Sequence, residues 1–290
     1  MRVTHNMLVS NVLKNIQTNL SRLERTENQI STGLRYNRAS DNPTAVARIM
    51  DLRSSEARIE QHSRNAGNAV AWLNATDAAI QTAGDAVQRA RELAVTGGND
   101  VIPAEEREAI AAEVDQLLEQ LTDAANSKFN GDYLFSGHLT NTPAYAAGTP
   151  PVYQGDLNAI EREINDGVRV QINSFGPNVF DSAMQALTDL ANDLRADDGA
   201  AIRGRIADID AAQDEMLAQG SIVGARTNRI ETQQDRLEAS RVSLAQLRSQ
   251  DEEIDMVEAI VRFNSEETVY NASLQAGARV MQPSLLDFLR

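Results

Sequence analysis

The sequence predicts a mainly α-helical fold: an elongated antiparallel helical bundle or coiled coil from the N- and C-terminal regions, with a small central β-rich insert. Three observations predict it. The 290 residues include only 16 glycines and 7 prolines, and 4% are aromatic, which favours helices over a compact sheet enzyme. Apolar residues recur every seven positions in both halves of the chain. Glycine and proline cluster between the halves, around short runs of alternating polarity.

The N-terminal region, residues 1–43, is predicted to be an assembly helix followed by a connector. Its apolar residues are separated mainly by four and three positions in turn, the spacing of one face of a coiled-coil helix. The residues on this face are Val9, Leu13, Ile16, Leu20, Leu23, Ile30 and Leu34. The pattern then stops, and Asp41 or Asn42 can cap a new helix that has Pro43 in its first turn.

Residues 44–127 are predicted to form the N-terminal half of a helical shaft. A helix from about 44 to 96 is indicated by apolar residues at five successive seven-residue intervals. These residues are Ile59, Ala66, Leu73, Ile80, Val87 and Ala94. Gly97 and Gly98 end that helix, and Pro103 opens a third helix that closes near Asn126. Trp72 is expected to pack at a helix crossing or under the insert, because a large indole is more often core than ligand site.

Residues 128–180 are predicted to be the β-rich insert. Glycine and proline punctuate short runs there, and Val168, Val170 and Ile172 alternate with polar residues. About fifty residues are marginal for an independent core, so the insert is expected to lean on the helices or on a neighbouring subunit.

Residues 181–250 are predicted to form the C-terminal half of the shaft, and 251–290 the C-terminal assembly helix. A short helix near 181–196 precedes seven apolar residues at strict seven-residue spacing, the strongest periodic signal in the chain. These are Ile202, Ile209, Met216, Val223, Ile230, Leu237 and Leu244. Asp251 occupies the eighth position and breaks the repeat, and a last amphipathic stretch runs from Ile254 to about Met281.

The two ends are poor in charge, which indicates assembly. Lys14 is the only charged side chain between Val3 and Ser21, and residues 268–278 carry none. Interface cores are depleted of charge, so we expect both ends to be surrounded by protein and to order on assembly. The C-terminal residues expected in this interface, some of them against the N-terminal face, are Ile254, Val261, Leu274, Leu285, Leu286 and Phe288. The alternative is one intramolecular coiled coil with polar faces in water.

Composition argues against several other functions. A net charge of −15 disfavours binding to nucleic acid or anionic lipid, and no segment is apolar for long enough to insert into a membrane. The three histidines are far apart and lack zinc-ligand spacing. No phosphate-binding loop or nucleophile elbow is present, so we expect neither a cofactor nor enzymatic activity. The N-terminus also lacks the continuous apolar stretch of a cleaved signal peptide.

Several motifs resemble those of a known family. Residues 29–35, Gln-Ile-Ser-Thr-Gly-Leu-Arg, and 40–43, Ser-Asp-Asn-Pro, resemble the N-terminal signature of bacterial flagellins and hook-associated proteins, with Asn42 in place of the usual second acidic residue. Residues 131–137, Gly-Asp-Tyr-Leu-Phe-Ser-Gly, and the C-terminal 284–289 are similar to the hook-associated branch at the hook-filament junction.

This resemblance implies a structural adaptor in an extracellular flagellum. Copies would form a ring at the distal end of the hook, with another hook-associated junction protein on the hook side and flagellin on the filament side. It also implies synthesis in the cytoplasm, a cytosolic export chaperone that shields the C-terminal helix, and passage through the flagellar type III export apparatus. Two alternatives stay open: a major filament flagellin, and a coiled-coil signalling module, which would be a folded homo-oligomer with ordered ends.

Overall fold

The computed structural model describes residues 5–281, with side-chain environments from 7 to 280. It confirms a mainly helical fold with a small β insert. The helices are α1 (His5–Thr32), α2 (Pro43–Gly97), α3 (Ala104–Ala125), α4 (Ser182–Arg195), α5 (Gly199–Glu252) and α6 (Met256–Met281). The strands are β1 (Lys128–Phe129), β2 (Asp132–Tyr133), β3 (Tyr145–Ala146), β4 (Val152–Tyr153), β5 (Glu161–Asn165) and β6 (Val168–Gln171).

The chain forms two compact units. The first unit contains residues up to Arg58 together with those from Arg241 onward, and the second contains Ile59–Ser240. Helices α2 and α5 contribute residues to both units.

The core of the second unit follows the predicted seven-residue repeats. On α2, Ala66, Leu73, Val87 and Ala94 are fully buried and Ile80 nearly so. On α5, the six repeat positions from Ile202 to Leu237 are at most 3% exposed. The α2 residues and the α5 positions from Ile202 to Ile230 belong to one continuous apolar cluster, because a seven-residue repeat keeps one side of each helix facing its neighbours. The predicted periodicity is therefore confirmed as the core of this unit.

The insert shares that core. Its strands pair as three antiparallel two-stranded hairpins, β1–β2, β3–β4 and β5–β6. Val170 and Ile172 are buried while Arg169 is exposed, as the alternating pattern predicted. Trp72 of α2 packs edge-on against Phe129, with ring centroids 6.0 Å apart, so it lies under the insert. The insert thus leans on the helices, as its small size required.

Aromatic residues join the insert to the start of α4. Phe135 stacks edge-on against Phe180 at 4.8 Å, and Tyr145 lies 5.4 Å from Tyr153. The Tyr145 hydroxyl donates a 2.5 Å hydrogen bond to Asp181, in the π-helical turn Pro177–Asp181 that leads into α4. Burial, with the neighbouring Asp181 carboxylate, raises the pKa of Tyr145 well above its ordinary value, so its hydroxyl stays protonated as a donor.

A buried arginine fixes the turn between α2 and α3. Arg107 is 5% exposed and donates hydrogen bonds to the carbonyl oxygens of Gly97 and Asn99, both at 3.0 Å. It also pairs with Asp197. These bonds satisfy carbonyl groups at the C-terminal end of α2, where the helix itself offers no donors. The predicted glycine stop is therefore reinforced by a side chain from the next helix.

Candidate assembly surface

The ends of the described chain pair with each other in the first unit. Helices α1 and α6 run antiparallel and are joined by two polar contacts. Asn19 donates a 2.6 Å hydrogen bond from its Nδ2 to the Ser273 hydroxyl, and Thr26 donates one of 2.6 Å to Glu266. Thr26 is 3% exposed, so its hydroxyl needs this partner. The two helices are thus held by partly buried polar contacts as well as by apolar packing.

A glycine sets the closest approach of the two helices. A Cβ added at Gly277 of α6 would lie 3.0 Å from Ile16 Cδ1 and 3.1 Å from Val12 Cγ1. Those distances are shorter than ordinary carbon–carbon contacts, so a larger residue would push α1 away. Gly277 therefore lets the α1 side chains pack directly on the backbone of α6.

The connector between α1 and α2, residues 33–42, is bound to the junction between α5 and α6. Leu34 and Glu253 form an antiparallel β-bridge. Around it the Arg35 amide donates to the Glu252 carbonyl at 2.7 Å, and the Ile254 amide donates to the Gly33 carbonyl at 3.0 Å. Gly33 has a φ of 71°, a left-handed conformation that glycine adopts without steric cost. The first residues after α1 therefore bind directly to the junction between α5 and α6.

The predicted helix cap at the end of the connector is Asn42. Its side-chain oxygen accepts a 3.1 Å hydrogen bond from the Ala45 amide in the first turn of α2. Asp41 instead binds Arg25 of α1 at 2.5 Å and the Arg38 amide at 3.1 Å. The hydrogen bond from Arg25 lowers the pKa of Asp41. The two adjacent polar residues therefore have different roles: Asn42 caps α2, and Asp41 binds the connector to α1.

A buried carboxylate anchors the end of α5. Glu252 is 3% exposed and pairs with Arg53 of α2 and, at 2.9 Å, with Arg248 one turn earlier. Arg248 also reaches Glu56 at 3.0 Å. Burial would raise the pKa of Glu252, but the hydrogen bonds from the two arginines outweigh it, and the pKa is lowered. The carboxylate is therefore charged at neutral pH and links α2 to the α5–α6 junction.

The outer faces of α1 and α6 expose many large apolar side chains. On α1, Met7 is 57% exposed and Leu13 47%; on α6, Val257 is 74% exposed and Val261 64%. The others are Leu8, Leu20, Met256, Ile260, Val269 and Leu274. Ten exposed side chains on two helices form an apolar surface much larger than single scattered residues would give. This helix pair is the candidate assembly surface.

The residues predicted for the interface fall into three groups. Val9, Ile16, Leu23, Ile30, Leu34 and Ile254 are half-buried. Leu13, Leu20, Val261 and Leu274 are exposed on the outer faces. Leu285, Leu286 and Phe288 lie outside the described residues. Contacts of any of these residues with another subunit stay a prediction.

Sequence reasoning missed the residues that join the two helices. Asn19, Thr26 and Ser273 are polar, and Gly277 has no side chain, so none stands out in an apolar periodicity. Ala259, 2% exposed, was missed because it is small. The uncharged polar residues themselves could have indicated the pairing. In a chain end so poor in charge, polar side chains at helical spacing can form hydrogen bonds between helices.

No catalytic or metal-binding constellation emerges within residues 5–281. Groups of three or more potential metal ligands are absent from that range. His62 contacts Asp166 at 3.2 Å, and His138 contacts the Ala159 carbonyl at 3.1 Å, each in a separate local interaction. None of the described helices is long and apolar enough to cross a membrane.

Sequence comparison identifies the family at both ends of the chain. Residues 3–140 match a model of the bacterial flagellin N-terminal helical region, and residues 206–289 match one of the C-terminal helical region. The two matches together cover more than three quarters of the chain. A flagellin of Bacillus subtilis is 26% identical over 311 aligned residues that cover all of both chains. Flagellar hook-associated protein 3 of Salmonella typhimurium is 24% identical over 63% of this chain and 57% of its own length.

Solved structures show the same fold. The crystal structure of FlgL from Bacillus cereus superposes with a TM-score of 0.62 at 24% identity, covering 69% of this chain and 99% of that one. The flagellar junction protein FlgL from Legionella pneumophila gives a TM-score of 0.59 at 18% identity, with 72% and 100% covered.

Proposed function

Because the chain belongs to the bacterial flagellin family, a family of structural and not enzymatic proteins, we propose that it is the flagellar adaptor that joins hook-side proteins to the flagellin filament. The observation that carries the proposal is the fold. Almost all of each FlgL structure is covered by this chain at a TM-score near 0.6, including one described as a junction protein. The motif at residues 131–137, in the insert, supports the same branch.

The proposed mechanism is folding coupled to assembly. Helices α1 and α6 leave ten large apolar residues exposed, and these would be covered by neighbouring subunits. Leu13, Leu20, Val261 and Leu274, which sequence analysis assigned to the interface, lie on these outer faces. The second unit has its own continuous core, so it supplies a preformed body while the helix pair gains its partners on docking.

The proposal places the protein in the extracellular flagellum and names its partners. They are copies of itself in a ring, another hook-associated protein on the hook side, and flagellin on the filament side. Before assembly, a cytosolic chaperone would cover the apolar helix pair, and the type III export apparatus would carry the chain out. Exposed apolar faces on unassembled subunits motivate the chaperone, since such surfaces aggregate in water.

The main rival is a filament flagellin. The full-length alignment to the Bacillus subtilis flagellin favours this rival, whereas the partial alignment to hook-associated protein 3 favours the adaptor. Membership of the flagellin family removes the signalling module as a candidate.

Copy number separates the two remaining functions. Flagella purified from the native host would be dissolved, and the chain would be quantified against the most abundant subunit by mass spectrometry. An adaptor is present in a small fixed number per flagellum, independent of filament length. A filament subunit increases in proportion to filament length, and that result would reject the adaptor proposal.

A further inference from the structure

The second unit contains an open groove between α2 and α5. Its floor is apolar, formed by the buried side chains of Ile80 and Met216. Leu217 stands at its edge and is 62% exposed. Acidic and amide side chains of both helices form the rest of the wall, among them Asp77, Gln81, Asp85, Gln88 and Gln213. The groove has a volume of about 530 Å³, enough to receive several side chains of another protein.

Two glycines line this groove without an evident role in the fold. A Cβ added at Gly84 would meet nothing within 4 Å, and one at Gly220 would meet only Ile80 at 4.0 Å. Alanine would therefore fit at both positions. Glycine inside a helix is less favourable than alanine, so neither residue improves the stability of the chain itself. Their effect is to keep the groove open where an outside segment could approach the helix backbones.

Charge indicates what kind of segment fits. The second unit carries 29 acidic and 13 basic side chains, whereas the rest of the chain carries 13 acidic and 14 basic. Two second units placed face to face would repel each other through this excess. The first unit is nearly neutral and would not be repelled in this way. Three of its arginines, Arg22, Arg35 and Arg38, are exposed and make no side-chain ion pair within residues 5–281, so they can face acidic side chains. Two of these arginines lie on the connector.

We propose that this groove is a docking site for the connector of a second copy of the chain. The connector arginines would face Asp77 and Asp85, and apolar side chains beside them would cover Ile80, Met216 and Leu217. The contact joins the second unit of one copy to the first unit of the next, so it can repeat from copy to copy. This inference rests on the proposed function, in which copies lie side by side in a flagellum.

The first test fills the groove. Gly84→Leu puts a side chain into it, and Gly204→Leu is the matched control, because Gly204 lies within α5, also meets nothing within 4 Å, and does not line the groove. Both purified variants should melt at or above the wild-type temperature, since leucine favours a helix over glycine. Incorporation into flagella should fall at least tenfold for Gly84→Leu and less than twofold for Gly204→Leu. Equal incorporation of the two variants would overturn the proposal.

The second test identifies the occupant. Because the chain contains no cysteine, Gln88→Cys gives one attachment point for a maleimide photo-crosslinker, and Gly204→Cys gives the control. Illuminated flagella should yield a product of twice 31.7 kDa from Gln88→Cys alone, with the attachment near residues 33–42 of the second copy. A product with a different protein, an attachment in the partner's second unit, or no product would each overturn it. If the wild-type chain is missing from purified flagella, the proposed function fails instead.

The third test exchanges the charges. The double variant Asp77→Arg, Asp85→Arg and the double variant Arg35→Glu, Arg38→Glu should each lower incorporation at least tenfold. Combined in one chain, they should restore it to within threefold of wild type, because the opposite charges again face each other. A combined variant as poor as either parent would reject the pairing of connector and groove.

Discussion

Arg248 donates a 2.9 Å hydrogen bond to the buried carboxylate of Glu252, the last residue of α5. Arg53 binds the other carboxylate oxygen, and the Glu252 carbonyl accepts a hydrogen bond from the connector. One residue therefore links α2, α5 and the connector at the end of the long C-terminal helix.

Replacing Glu252 should weaken the first unit and remove a dependence on pH. Glu252→Gln leaves two arginines without their carboxylate, so we expect a loss of about 1–3 kcal/mol at pH 7. The pKa of Glu252 is below its ordinary value of 4.5 in the folded chain. Its contribution is therefore fully present above that ordinary value and is lost as pH falls through the lower, folded value. Urea unfolding of both proteins at pH 7 and at pH 3 measures it.

The neighbouring residue provides the control. Glu253 is exposed, and its side chain binds only Ser249, at 2.7 Å, within the described chain. Glu253→Gln should change the unfolding free energy by less than about 0.5 kcal/mol. An equal effect of the two substitutions would contradict the account of Glu252.

Shortening a buried repeat side chain on α5 should destabilise the second unit far more than shortening an exposed side chain of the same helix. Ile209 is fully buried, whereas Ile222 on the same helix is 41% exposed. Ile209→Ala leaves a cavity and should cost about 2–5 kcal/mol. Ile222→Ala should cost about 1 kcal/mol, because 41% of its surface is already in water and less apolar area is lost on truncation. Thermal unfolding followed by circular dichroism compares them, and similar melting temperatures would argue against the seven-residue core.

Enlarging Gly277 should separate α1 from α6. In Gly277→Val the new side chain would collide with Val12 and Ile16, which already lie about 3 Å from the position of its Cβ. The control is Ala276→Val on the exposed side of α6, which introduces the same side chain at the next position. It lowers helix propensity, whereas Gly277→Val raises it, so a larger effect of Gly277→Val cannot come from propensity. Hydrogen exchange in α1 and α6 should quicken at least tenfold in Gly277→Val only. Unchanged protection would show that the close approach at Gly277 is not required.

Polar substitutions on the outer faces of α1 and α6 should block assembly without affecting the fold. Leu13 is 47% and Val261 64% exposed, and glutamine keeps an apolar stem of similar length, so Leu13→Gln and Val261→Gln retain part of the apolar contact that these side chains make within the chain. If neighbouring subunits cover these residues, incorporation into flagella should fall at least tenfold while the melting temperature and the secreted amount stay near wild type. Val101→Gln, at an 86% exposed position of the second unit, is the control. Normal incorporation of the first two variants would contradict the assembly surface.

The core of the second unit was predictable from the sequence, because residues seven positions apart lie on the same side of a helix. Ile209, Met216 and Val223 share a side of α5, and a neighbouring helix must cover it. Helix ends were also predictable where capping chemistry was visible, as at Asn42 and Gly97. The length of the insert predicted only that it leans on the helices or on a neighbouring subunit, and the structure shows that it packs on Trp72 of α2.

The pairing of the two chain ends was harder to predict. The apolar face of α1 includes Leu13 and Leu20, which are exposed, yet the structure buries Thr26 against Glu266 and half-buries Asn19 against Ser273. Helix α6 alone covers only a narrow strip of the α1 surface. Gly277 and two hydrogen bonds determine which strip it is, and an apolar periodicity does not reveal them. The partner of Glu252 on α2 was hidden for a similar reason: Arg53 is 199 residues away in the sequence and nothing local marks it, whereas Arg248 lies one turn before Glu252 at a spacing that permits an ion pair.

Deletion of the gene in the native motile host tests the adaptor proposal most directly, with the intact gene restored on a plasmid as the control. Cells would be examined for hooks and filaments by electron microscopy, and the culture medium for secreted flagellin. The adaptor proposal predicts hooks without filaments and flagellin released into the medium, both reversed by the plasmid. Normal filaments in the deletion strain, or missing filaments with no flagellin in the medium, would contradict it.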